Sequence, residues 1–195
     1  MGIVAWVATV FSVLYLVWAI KNDALCFIFG IISSCFWAYE SYFHLNLKFD
    51  AGLQIFYVVM SMIGLYRWQY KTTAKEEIPI TSLNITGHTM ALLAGTIASG
   101  TLVYLSQYIE SISFPVLDAF TTIFLIVGTL LLVERKLFSW IYLVICDIIY
   151  MYIYSVQEAW LFVGMMGVYT VFGIVGFINW RTIMTQQGEL AFEKT

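Results

Sequence analysis

Seven stretches of mostly apolar residues alternate with short polar breaks along the chain, at 3–20, 25–43, 53–68, 88–105, 116–133, 137–154 and 160–179. A bilayer core of about 30 Å is crossed by roughly 20 apolar residues in a helix, so each stretch predicts a transmembrane helix. The first stretch has no Lys or Arg before it and is long enough to span, so it reads as a helix and not as a cleavable leader. Pro79 and Pro115 fall in polar gaps, so the pattern predicts spans that keep all their backbone donors. Only the gap at 69–87 is long.

Composition agrees with the pattern. The 195 residues are 62% hydrophobic and 11% charged, whereas soluble domains carry roughly a quarter charged residues. A net charge of -3, with no long run of one sign, excludes a nucleic-acid surface. Cys26, Cys35 and Cys146 lie inside apolar stretches without CxxC pairing and read as small buried hydrophobes.

The basic residues orient the chain. Lys21, Arg67, Lys71, Lys75, Arg135, Lys136, Arg181 and Lys194 collect on one face of the predicted topology, and Lys48 stands on the other. Positive loops stay in the cytoplasm, which puts the amino terminus outside and the carboxyl terminus inside. Trp6, Trp18, Trp68, Trp160 and Trp180 near the predicted span ends match an interfacial aromatic belt.

An internal repeat is visible at an offset of 112, where Tyr57, Gly64 and Trp68 fall on Tyr169, Gly176 and Trp180. The basic turn at Lys21 falls near Glu134, Arg135 and Lys136. Three helices, a connecting helix and three more start both halves on the same side, making an all-α, 3+1+3 parallel repeat like that of SWEET transporters. The expected parts are a first three-helix repeat at 1–70, a linker and connecting helix at 71–114, a second repeat at 115–180 and a cytoplasmic tail at 181–195. Chance similarity between apolar helices is the competing explanation.

Asp147 is the most informative residue, an acid near the middle of the sixth helix with no Lys or Arg deep inside any predicted span. Such a group costs about 2.5–3.5 kcal/mol on the insertion scale, so it must be neutralised, solvated or paired. A cationic solute would pair it; a hydrogen bond from a neighbouring Tyr or Ser to a protonated Asp would neutralise it. Trp140, Asp147 and Tyr154 share one helical face, flanked by Tyr150 and Met151, and an aromatic wall beside an acid suits a flat cation. Trp140 is also close enough to its span end to belong to the belt. Gln54, Tyr57, Ser61 and Gly64 form a polar stripe on the third helix, facing either a ligand or another helix. Trp37 is a packing or binding residue, and Glu40 lies near enough the outer end to be solvated. Asp118 suits the first turn of a helix, where the dipole favours an acid, and Thr121 and Thr122 either line a cavity or bond back to their own helix.

The run Asp50-Ala51-Gly52-Leu53-Gln54-Ile55-Phe56-Tyr57, through Ser61 to Gly64-Leu65-Tyr66-Arg67-Trp68, resembles the third helix of the PnuC family of vitamin transporters. So does Asp118-Ala119-Phe120-Thr121-Thr122, followed by Lys136, Trp140 and Asp147 and ending at Gly176 and Trp180. One departure is visible: the family's sixth helix commonly reads WxxWxxxN or WxxWxxxD, and Leu143 stands here at the second tryptophan.

The resemblance implies a multi-pass carrier in the bacterial inner membrane for a vitamin precursor, usually nicotinamide riboside, with thiamine carriers as a related branch. It implies facilitated diffusion, with a cytosolic kinase trapping the solute without required contact. A homo-oligomer such as a trimer is admitted, and no cofactor is needed. The residues expected to hold the solute, between the two halves, are Trp37, Gln54, Tyr57, Thr121, Trp140, Asp147 and Tyr169. Leu143 raises the standing of thiamine. An intramembrane enzyme would need a nucleophile with a base or a metal cluster, yet His44 and His88 lie at span ends without HxxxH spacing. A structural membrane protein is the remaining class.

Overall fold

The computed structural model describes residues 3–43, 48–70, 79–108, 115–156, 158 and 160–192. His44, Lys71, Lys75 and Lys194 lie outside them. Among the described residues seven helices follow one another: α1 (Ile3–Ile20), α2 (Leu25–Phe43), α3 (Lys48–Tyr70), α4 (Ile85–Ser106), α5 (Pro115–Val133), α6 (Ser139–Val156) and α7 (Trp160–Phe192). The fold is thus all-α, three helices, one connecting helix and three more. Among the described residues five helices are long and apolar enough to cross a membrane, while α2 has a shorter apolar stretch, Leu25–Glu40. The 23-residue α3 carries a polar stripe and Arg67, which lower its apolarity without shortening it.

Helix ends follow local chemistry. Pro115 opens α5 and does not lie in the gap before it; at the first helical position its missing N–H costs nothing. Asn84 caps α4, its Oδ1 accepting from the Gly87 N–H at 2.8 Å. The predicted tail at 181–195 is helical to Phe192, because no proline interrupts α7. At 33 residues, about 1.5 Å each, α7 exceeds a bilayer core.

The chain forms two compact units, Met1–Pro79 with Thr185–Thr195, and Ile80–Met184. In the first, α2 packs against both α1 and α3; in the second, α5 packs against both α4 and α6. The connecting helix α4 therefore belongs to the second unit. There Phe124 of α5 closes over Gly95 of α4, stacks on Tyr142 of α6 at 6.2 Å, and Tyr142 in turn stacks on His88 of α4. The segment before α4 joins the α5–α6 turn: Thr81 N–H donates to Arg135 O at 3.1 Å, and Leu137 N–H to Thr81 O at 2.9 Å.

Each unit repeats the other's internal construction. Both first turns end in the same helix stop: Asn22 and Arg135 adopt left-handed backbone, with φ of 57° and 52°. Asn22 and Asp23 N–H donate to Ala19 and Trp18 O, as Arg135 and Lys136 N–H donate to Leu132 and Leu131 O. This paired pattern satisfies carbonyls that a helix end leaves open. In the first unit, Tyr15 of α1 sits beside Gly30 of α2; at the same register in the second, Gly128 of α5 sits beneath Leu143 of α6. Bulk and glycine have changed places, so the interhelical space is filled either way.

The aromatic cores correspond too. Phe27 of α2 covers Gly64 of α3 and meets Trp68 edge-on at 4.8 Å. Trp140 of α6 covers Gly176 of α7 and meets Trp180 edge-on at 5.5 Å. Trp68 and Trp180 are consequently core residues, 2% and 0% exposed, not members of an interfacial belt. Trp6 and Trp160 are exposed, as a belt requires. Among the cysteines Cys26 and Cys146 are buried, but Cys35 is exposed.

Candidate functional site

Asp147 lies in the middle of α6, 8% exposed. Its carboxyl group has no hydrogen bond or ion pair among the described residues, so the Tyr or Ser that would have neutralised it is not there. Helices α6 and α7 close on each other through Trp140 on Gly176, Val144 on Gly173 and Met151 beside Gly167, with Thr170 Oγ1 donating to the Met151 sulfur at 3.9 Å. Small residues let the helices approach closely. Asp147 follows Trp140 by two turns and Tyr169 precedes Gly176 by two turns, so this antiparallel pairing puts Asp147 and Tyr169 at one depth. Tyr169 is half-buried and engaged in interactions of its own. One turn beyond the acid, Tyr150 stacks on Tyr154 at 5.6 Å, and Tyr154 leans on Phe162 at 5.2 Å. An unpaired acid thus stands at the foot of an aromatic ladder.

Trp140 and Thr121 have more structural roles than their spacing suggested. Trp140 is fully buried between Gly176 and Trp180, so it belongs to the core, and its Nε1 donor has no hydrogen-bond partner. Thr121 is fully buried and donates to Leu117 O at 2.8 Å and Asp118 O at 3.0 Å, its own helix. Only its oxygen remains as an acceptor.

In the first unit, Trp37 is tied to its neighbour: its Nε1–H donates to Ser12 Oγ at 3.3 Å. Ser12 pairs with Ser33 at 2.6 Å, and the hydroxyl that accepts in that pair donates to Ala8 O, which lies within 3.1 Å of both. Helix-to-helix hydrogen bonding therefore holds the indole in place. On α3, Ser61, Gly64 and Trp68 are buried, with Gln54 and Tyr57 half-buried further along the same stripe. Glu40 is buried at 5% exposure, with Oε2 unpartnered, and not solvated as its place near a helix end suggests. The Ser12–Ser33 network had no signal beyond two serines in apolar helices; a polar residue at such a position is itself the signal.

An apolar groove of about 560 Å³ runs along α1 and α2, lined by Val4, Ile31, Ile32, Cys35, Phe36 and Tyr39. None of these lining residues is charged. Among the described residues no cluster of three His, Cys, Asp or Glu could hold a metal ion.

Comparison with known proteins agrees with this construction. The "Nicotinamide riboside transporter PnuC" of Neisseria mucosa is 25% identical over 194 residues, spanning 92% of this chain and 72% of that protein. A crystal structure described as the Vitamin B3 transporter PnuC superposes with a TM-score of 0.75 at 24% identity, covering 94% of this chain and 82% of that one. The family model described as "Nicotinamide mononucleotide transporter" matches residues 2–182, and with that span the chain belongs to the PnuC family of membrane transporters.

Proposed function

We propose that this transporter carries a small cationic vitamin precursor, nicotinamide riboside foremost, across the bacterial inner membrane by facilitated diffusion. The observation that carries the reading is the buried, unpartnered carboxylate of Asp147, which a positively charged ring would complete. Tyr169 at its depth and the stacked Tyr150 and Tyr154 supply π faces for such a ring. Thr121 and Trp140, both fully buried, brace α5 and α6 behind the solute. Trp37, Gln54 and Tyr57 are the first unit's proposed solute contacts, with Trp37 oriented by Ser12.

The names of the relatives carry both a riboside and a mononucleotide. Charge favours the riboside here. A phosphate brings about 1.5 to 2 negative charges, and α1, α2, α5 and α6 contain no Lys or Arg to receive them. Beside Asp147 a phosphate would meet repulsion. Thiamine is the second candidate, favoured by Leu143 where an aromatic wall would otherwise stand.

The amino terminus lies outside and the carboxyl terminus in the cytoplasm in this reading, from the distribution of Lys and Arg. Alternating access comes from rocking of one three-helix repeat, and a cytosolic kinase acting on the released solute keeps it inside. Calorimetric titration of the purified protein with nicotinamide riboside, nicotinamide mononucleotide, thiamine and uncharged nucleosides tests the reading. Binding of one cationic, unphosphorylated solute and its loss in Asp147→Asn is expected; equal affinity for uncharged nucleosides would overturn the charge argument.

A further inference from the structure

We propose that Ser34 is the first unit's counterpart of Asp147, a solute-contacting residue that binds an uncharged, hydroxyl-bearing part of the transported cation. The inference rests on the carrier reading above.

Register is the first support. At an offset of 113, the two left-handed helix stops, the Tyr15–Gly30 and Gly128–Leu143 contacts, and the core aromatics Phe27 and Trp140 all coincide. The burial pattern follows the same offset: Cys26, Phe27, Ser33 and Ser34 are buried, and so are Ser139, Trp140, Cys146 and Asp147. Ser34 therefore occupies in α2 the place of Asp147 in α6.

Depth is the second. Phe27 on Gly64 and Gly30 beside Ser61 define how α2 and α3 run past each other. Continuing one turn along each helix brings Ser34 level with Tyr57, just as Asp147 is level with Tyr169. A buried polar residue and a tyrosine recur at one depth in both units.

Chemistry is the third. Ser34 is 7% exposed, yet its hydroxyl has no hydrogen-bond partner among the described residues. Thr9, Ser99 and Thr121 all donate to a carbonyl of their own helix. Adjacent Ser33 is spent on Ser12 and Ala8. Ser34 shares its free hydroxyl with Ser61 and Ser139, but stands alone at the register of the acid. Lipid offers it nothing, and a solute hydroxyl offers both a donor and an acceptor. Ser34 then reads a hydrogen-bonding group of the solute, which favours a cation with a hydroxylated portion.

Thiol protection tests this. In a Cys26→Ala, Cys35→Ala, Cys146→Ala background with Asp147 intact, Ser34→Cys and the control Ser33→Cys are labelled with 2-aminoethyl methanethiosulfonate, with and without saturating nicotinamide riboside or thiamine, and calorimetry on the same samples reads solute binding. The expected result is several-fold slower labelling of Ser34→Cys in the presence of the one solute that binds, and no protection at Ser33→Cys. Ser34→Ala should weaken binding of that solute about 2- to 10-fold without lowering the Tm, since no internal bond is lost. An unreactive or unprotected Ser34→Cys that still binds the solute by calorimetry overturns the assignment and leaves the carrier reading standing. Failure of every solute to bind the protein with Ser34 and Asp147 both intact overturns both.

Discussion

Trp140 rests directly on Gly176: a β-carbon at that glycine would lie 2.7 Å from the indole ring. Phe27 stands over Gly64 in the same way, and a tryptophan one turn further along the same helix closes each pair edge-on. This clasp explains why glycine and tryptophan recur four residues apart on α3 and α7. Without a hydrophobic drive between helices in lipid, association depends on close packing, and the glycine lets the aromatic reach the partner backbone.

Filling either clasp should be costly. Gly64→Ala and Gly176→Ala each push a methyl group into a rigid ring, for about 1–3 kcal/mol of destabilisation, read as a lower Tm in detergent. Gly100→Ala is the contrast, since nothing lies within 4 Å of its β-position. It should leave the Tm unchanged or raise it, because alanine is the better helix former.

Asp147→Asn should separate function from stability. The carboxyl group has no partner to lose, so thermal stability holds or rises. Affinity for a cationic solute falls about 10- to 100-fold, the range expected when a charge-assisted contact is removed. Calorimetry and a thermal melt on one sample measure both.

Ser12→Ala leaves the Trp37 Nε1–H without its acceptor and removes one partner from Ser33. Interhelical hydrogen bonds in membranes average about 0.6 kcal/mol and reach about 1.7, so a loss of stability in that range is expected from chemical denaturation. Solute affinity should fall as well, because the indole is no longer held.

Leu143→Trp restores the residue that the family's sixth-helix pattern commonly carries. A β-carbon at Gly128 would already lie 2.9 Å from Leu143 Cδ2, so the larger ring overfills the contact and should cost about 1–3 kcal/mol. A thermal melt checks the cost, and a solute panel checks whether preference shifts between nicotinamide riboside and thiamine.

Apolar runs about as long as a bilayer is thick made all seven helices legible in the chain, and glycine and tryptophan at matched spacing exposed the repeat. Hydropathy reads single segments, however, and says nothing of which face of a segment meets another. Trp68 and Trp180 therefore looked interfacial by position and proved to be core, while Cys35 and Glu40 were misjudged in opposite directions. Asp147 was singled out by the cost of a charge in hydrocarbon, a property of the residue and its place in the sequence. Only the tertiary structure decided that no tyrosine or serine among the described residues neutralises it, that the Thr121 proton is spent on its own helix, and that Trp37 is fixed by Ser12. Those outcomes depend on hydrogen bonds and contacts between residues or helices at particular angles, which the order of apolar and polar residues does not encode.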